Sequence, residues 1–290
     1  MYFRSLFAAF LFISLQSCTS EPMDFDAVEA RALQGHAEAQ HNLGNMYERG
    51  KSVPQNDIEA VKWYRLAAQQ GHAEAQAILG SMYDQGRGVA QNATEAVKWY
   101  RLAANQGNQH AQYNLGAAYY SGSGVTKNNA EAVKWYRLAA EQGLAFGQSS
   151  LGSLYLSGEG VTKNSKEAVR WIRLAAEQGL AEAQSNLGVM YERGEGVPEN
   201  DIEAVKWYRL AAQQGEATGQ YNLGFSYVQG RGVPTNFIKA YAWWSMAVAE
   251  GNESASKAKD NVTTEMTRQQ IAEAQAYATR CFENDYKGCD

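Results

Sequence analysis

The stretch AEAQHNLGNMYERGKSVPQNDIEAVKWYRLAAQQG, from Ala37 to Gly71, returns in close variants five more times along the chain. Gly35, Gly71, Gly107, Gly143, Gly179, Gly215 and Gly251 stand 36 residues apart, and Leu43-Gly44 and Trp63 recur at the same step as far as Leu223-Gly224 and Trp243. A fixed period of this size, one supersecondary unit long, is the signature of a solenoid.

Each unit reads as two helices. Ala39, Gln40, Leu43, Gly44 and Tyr47 share one face of a 3.6-residue period, so that face is predicted to be buried. Gly44 stands mid-helix, where glycine costs roughly 1 kcal/mol against alanine. Its recurrence is expected to mark close approach of the second helix's backbone, whose contact side carries Ala60, Ala67 and Ala68. Gly50 suits a left-handed helix end, a Gly-x-Gly-Val connector follows in most copies, and Asn56 opens the second helix with Glu59 three residues on, a capping-box pattern. Trp63 and Tyr64 supply bulk to fill the space between stacked pairs. The row Lys62/Arg65, Lys98/Arg101, Lys134/Arg137, Arg170/Arg173 and Lys206/Arg209 reads as a solvated outer face of the second helices, with a polyanion site as the alternative.

Taken together, these residues resemble the Sel1-like repeat, a relative of the tetratricopeptide repeat. The resemblance covers residues 36–251 and, through Ala32 and Gly35, reaches back towards Asp24. Departures are few: Ser52 replaces the second loop glycine of the first copy, Ile172 the tyrosine after Trp171, Lys239 the cap glutamate, and Trp244 the tyrosine at Tyr64's place. The resemblance implies an all-α fold: an α-solenoid of antiparallel helix pairs, 36 residues each, wound into a right-handed superhelix. Residues 24–251 form it, as an N-terminal cap helix and six repeats.

Ahead of the repeats, residues 1–17 read as a signal peptide: Arg4 precedes an apolar run from Leu6 to Leu15, too short for a membrane span of about 20 residues. Leu15-Gln16-Ser17-Cys18 is similar to a bacterial lipobox, which implies cleavage before Cys18, lipidation of Cys18 and a tether over residues 18–23. With Thr19 after the cysteine, the likeness to Gram-negative lipoproteins favours an outer-membrane anchor facing the periplasm. Secretion after cleavage near Ser20, into periplasm or medium, and retention of the segment as a helix of the fold are the alternatives.

A formal charge of −5 gives no basic footprint for nucleic acid, so no nucleic-acid partner is expected. Apart from Cys18 the cysteines are Cys281 and Cys289, near the C-terminus. In an exported chain they are expected to form a disulfide, contributing about 2–3 kcal/mol. A metal site is the alternative, but two cysteines without a nearby histidine are too few ligands. Residues 252–290 are expected to form a helical cap: Asn252 to Asn261 resembles a degenerate first helix, and Thr267 with Gln270 reads as the capping box of a last helix ending near Phe282.

Little in the sequence points to catalysis, and no cofactor or metal is expected. His36 and His41 are five residues apart, not the four that put two histidines on one helical face, and His36, His41, His72 and His110 read as exposed. Ser254-x-x-Lys257 and Ser256-x-x-Lys259 match the S-x-x-K of serine β-lactamases, an activity attributed to some Sel1-like proteins, but neither S-D-N nor K-T-G accompanies them. A non-catalytic scaffold holding a protein or peptide partner is therefore expected; the alternatives are an envelope enzyme of β-lactamase or cell-wall type and a peptidoglycan or carbohydrate binder.

In the related tetratricopeptide solenoids the first helices line the concave face. The corresponding places here are those of Glu38, His41, Asn45 and Glu48, expected to form one continuous groove. Copies one, two and five are acidic there, with Glu38, Glu48, Glu74, Asp84, Glu182 and Glu192, whereas copy three has His110, Tyr113 and Tyr120, copy four Phe146 and Leu156, and copy six Tyr221, Phe225 and Val228. The apolar and aromatic members, Tyr113, Tyr120, Phe146, Leu156, Tyr221 and Phe225, are the candidate partner-binding residues. Packing of these groups against neighbouring helices is the alternative.

Overall fold

A computed structural model describes residues 24–284 together with Tyr286, Gly288 and Cys289. The segment read as signal peptide, tether and lipidation site, Cys18 included, lies outside these residues. Among the described residues there are fifteen helices and no strand. A short α1 (Phe25–Leu33) leads into six antiparallel pairs: α2 (Ala37–Arg49) with α3 (Asp57–Gln69), α4 (Ala73–Gln85) with α5 (Ala93–Asn105), α6 (Gln109–Ser121) with α7 (Asn129–Glu141), α8 (Ala145–Ser157) with α9 (Ser165–Glu177), α10 (Ala181–Arg193) with α11 (Asp201–Ala212), and α12 (Ala217–Gln229) with α13 (Phe237–Ala249). α14 (Glu253–Thr263) and α15 (Arg268–Glu283) follow.

The helix ends follow from their residues. Asn56 stays extended at φ −154°, and its side-chain oxygen accepts the backbone N–H groups of Ile58 and Glu59. The cap is one-sided, not the reciprocal box expected, because the Glu59 carboxylate turns to Lys62, 2.5 Å away. At Thr267 the box is complete in both directions. Gly50 closes α2 at φ +65°. The second loop glycine is demanded by contact as well as by torsion: a Cβ on Gly88 would stand 2.2 Å from the carbonyl oxygen of Asp57, one repeat back. Ser52 takes the same left-handed conformation in the first copy, where the facing position, 36 residues earlier, is residue 21 and lies outside the described chain.

Packing departs from expectation at Gly44. A Cβ there would meet the ring of Tyr64 at 2.8 Å, so the glycine makes room for a fully buried tyrosine rather than for backbone. Ile172 and Trp244 fill the same notch opposite Gly152 and Gly224. Tyr64 thus packs inside its own pair, while the tryptophans bridge pairs: Trp99 lies against the core formed by Tyr64, Ala67, Leu79 and Met82. The last core gathers Trp243 and Trp244 with Val262, Met266, Ala274 and Ala278, so α14 and α15 pack on the end of the stack. The sulfur atoms of Cys281 and Cys289 lie 2.20 Å apart at its edge.

Polar groups tie one repeat to the next in register. Gln40, Gln76, Gln112, Gln148 and Gln184, all buried, each donate from Nε2 to the carbonyl eight residues back and accept at Oε1 from a glutamine 30 residues ahead. The arginine row is not simply solvated either. Arg65, Arg101, Arg137 and Arg173 donate to the hydroxyls of Tyr83, Tyr119, Tyr155 and Tyr191 in the following first helix. The lysine half of that row does behave as an outer face, pairing with the cap glutamates at i,i+3.

Candidate functional site

First helices of neighbouring repeats touch one another, as α4 does α6 and α10 does α12, so residues on their outer turns meet across each seam. At the seam of α6 and α8 this brings Tyr113, Tyr120 and Phe146 into one cleft of about 270 Å³, floored by Tyr136 and rimmed by Ser149, Ser150, Ser153, Glu159 and Glu182. The Tyr113 ring centroid lies 5.6 Å from that of Tyr136 and 5.9 Å from that of Phe146. Phe146 is 53% exposed, whereas Tyr113 is half-buried and belongs partly to the packing. Burial, with Tyr113 beside it, pushes the Tyr136 hydroxyl above its ordinary range, so it stays a neutral hydrogen-bonding group.

Tyr221 and Phe225 line a different cleft, of about 670 Å³, where α12 and α13 meet α14, together with Val228, Trp244, Ser254 and Lys257. Phe225 stands between Tyr221, 5.8 Å away, and Trp244, 6.1 Å away, while the Trp244 Nε1 donates to the Tyr221 carbonyl at 3.0 Å. Leu156 enters neither cleft: it is half-buried against the core around Leu154 and Trp171. The six residues therefore divide into two clefts and one packing residue, instead of one unbroken groove.

Two of the six acidic places, those of Glu48 and Glu192, are also reassigned. Glu48 accepts the Tyr64 hydroxyl at 2.7 Å and faces Arg87 at 3.0 Å; Arg87 in turn reaches Asp57 at 3.0 Å. The same clasp recurs with Glu192, Tyr208, Arg231 and Asp201. These carboxylates hold repeats together and are not free to a ligand. Sequence reasoning missed the clasps because it read Gly86-Arg87-Gly88 only as a connector. The signal was there: arginine occurs mid-loop where aspartate stands 30 residues earlier, at Asp57/Arg87 and Asp201/Arg231.

Ser254 and Lys257 are exposed on the rim of the second cleft. His41, expected on the surface, is only 7% exposed, because the first-helix register turns it towards Tyr64 and His72. Its ring, that of His72 and the Glu38 carboxylate offer ligand atoms all within 4.8 Å of one another.

The Sel1 family model, described as Sel1 repeat, matches residues 37–72, 73–108, 109–144, 145–180, 181–216 and 217–252. The chain is a Sel1-repeat protein. Its solenoid is similar to the crystal structure of a protective antigen of uropathogenic Escherichia coli displaying an SLR fold, with TM-score 0.79 and 36% identity, over 90% of this chain and 57% of that one. The chain thus spans little more than half of the antigen. A Sel1 repeat protein from Oxalobacter formigenes superposes with TM-score 0.68 at 38% identity, over 74% of this chain and 86% of that one. Among curated proteins none matches. A Sel1-repeat scaffold points to protein–protein interaction, and nothing in these likenesses indicates nucleic acid or a catalytic function.

Proposed function

We propose that this Sel1-repeat chain is an exported, lipid-anchored, non-catalytic scaffold that holds a protein or peptide partner along its first helices. The observation that carries the reading is the pair of aromatic clefts, in which Tyr120, Phe146 and Phe225 stay exposed. Exposed aromatic groups in a concave, partly apolar setting are the usual anchors of an interface. A photoreactive residue at Phe146 or Phe225 should crosslink one partner in intact cells, while the same probe at Ile202, exposed at the start of α11, should not. Equal capture from Ile202 would sink the reading.

The anchor rests on the sequence around Cys18; no described helix is long and apolar enough to cross a membrane. Cys18→Ser should leave the protein unlipidated in the soluble periplasmic fraction; wild type already found there, without label from palmitate, rejects the anchor. The closeness of Cys281 and Cys289 supports a disulfide that pins the tail to the cap. Thiol titration under denaturing conditions should find neither sulfur free.

The serine hydroxyls and carboxylates beside aromatic faces in the first cleft favour a carbohydrate as the second reading, tested by pull-down with purified sacculi. For the enzyme alternative the supporting outcome is nitrocefin turnover lost on Ser254→Ala.

A further inference from the structure

Where the first repeat meets the second, the side chain of His41 is 9% exposed, and neither ring nitrogen has a hydrogen-bond partner. Burying a polar ring without partners is costly. The group nearest its Nε2 in charge is the Glu74 carboxylate, at 4.0 Å, beyond hydrogen-bond reach. The His72 ring stacks on His41 with centroids 4.6 Å apart, and His72 Nε2 lies 3.0 Å from Glu38 Oε2. Two imidazoles and two carboxylates thus converge from α2 and the start of α4. The corresponding positions elsewhere do not repeat the set: Ala77 and Asn108, Tyr113 and Leu144, and Ser149 and Leu180 hold the histidine places at the next three seams.

We propose that Glu38, His41, His72 and Glu74 form a binding site for one divalent cation of the Zn²⁺ class. Mixed imidazole and carboxylate ligands suit that ion, which takes four in a tetrahedron with ligand atoms roughly 3.4 Å apart. The first three ligand atoms already lie within 4.8 Å of one another. Both glutamates are exposed and free to swing inwards, and their two negative charges balance the cation. A neutral imidazole offers one nitrogen lone pair to a metal, and neither His41 nitrogen is engaged by another group.

His72 needs one rearrangement. Its Nδ1 accepts the Ala75 N–H at 3.2 Å, which leaves the ring proton on Nε2, directed at Glu38. Ligation through Nε2 moves that proton to Nδ1 and gives up the bond to Ala75, with no net proton released by the ring. His36, Leu144 and Leu180 start α2, α8 and α10 without any such side-chain bond, so the helix tolerates the loss.

Calorimetric titration of the full chain with ZnCl₂ tests the site, alongside His41→Ala and His72→Asn. Each substitution installs the residue this chain carries one repeat later, Ala77 or Asn108, and a thermal melt of each variant checks that the array still folds. Saturable uptake of one Zn²⁺ per chain is expected, weakened in either variant by at least the roughly 10- to 100-fold that loss of an outer-shell partner costs. Co²⁺ in place of Zn²⁺ should give the visible absorption of a tetrahedral site, lost in both. No saturable uptake by the unaltered chain, or undiminished uptake by either variant that melts as a folded array, overturns the proposal.

Discussion

At the seam between the first and second repeats, Arg87 joins Glu48 and Asp57, and Glu48 is bonded in addition to Tyr64. At the seam between the third and fourth, Tyr120 holds Glu48's place and Glu159 holds Arg87's, and a cleft opens between them. The packing beneath is the same in both: Leu43 and Leu115 are fully buried, and Gly44 and Gly116 each receive a tyrosine ring. The core therefore does not decide which seam opens into a cleft. That is set by a few polar positions above it, which either close the seam with charge or leave aromatic faces open.

The largest test of that separation is Leu115→Ala, which should destabilise the array by about 2–5 kcal/mol in a urea melt, as a cavity in a packed core does. If it melts like wild type, the central seam lacks the core described here. Arg231→Ala removes the hub of the second clasp and should cost about 1 kcal/mol or less, since its partners are partly solvated. Ser123→Ala, at the equivalent loop position of an unclasped seam, should cost less than about 0.5 kcal/mol. Equal losses would erase the distinction between seams. Transplanting the clasp sharpens it: Ala93→Asp with Ser123→Arg, facing the existing Asp84, should stabilise the array by a few tenths of a kcal/mol, about the value of an exposed pair. A double-mutant cycle without coupling would refute the transplant. Phe146→Ala should change the melt least, by less than about 0.5 kcal/mol, yet remove most crosslinking by a photoreactive residue placed at Tyr120 in the same cleft.

The helices and their ends could be read from the sequence because they depend on short-range rules repeated six times. The buried face at Leu43, the Asn56 cap and the Gly50 turn are each decided within a few residues. What escaped depends on the neighbouring repeat. Arg65 reads as surface until Tyr83 arrives over it from α4. Glu48 reads as a groove acid until Arg87 does. Analogy with related solenoids puts His41 on the surface, and its burial follows from the histidine that stacks on it from the second repeat. The recurrence of Gly44 marks a close contact, but the contact belongs to a tyrosine ring that spacing alone does not orient. The site was half legible: aromatic residues at variable positions marked both clefts, but Leu156 met the same criterion and is packing.

The glutamine series has a direction. Each first-helix glutamine accepts from the end of its own pair's second helix and donates back to a carbonyl of the pair before, so a unit can be added or removed inside the row and the glutamine join will be the same as the one it replaced. The row stops at Gln220, fully buried, whose Oε1 has no partner among the described residues because Glu250, an acceptor, stands where a glutamine donor would be. Glu250 instead accepts the hydroxyl of Tyr286 from the tail at 2.6 Å. Length is thus an adjustable property of this architecture, and one carboxylate marks the unit that must remain last.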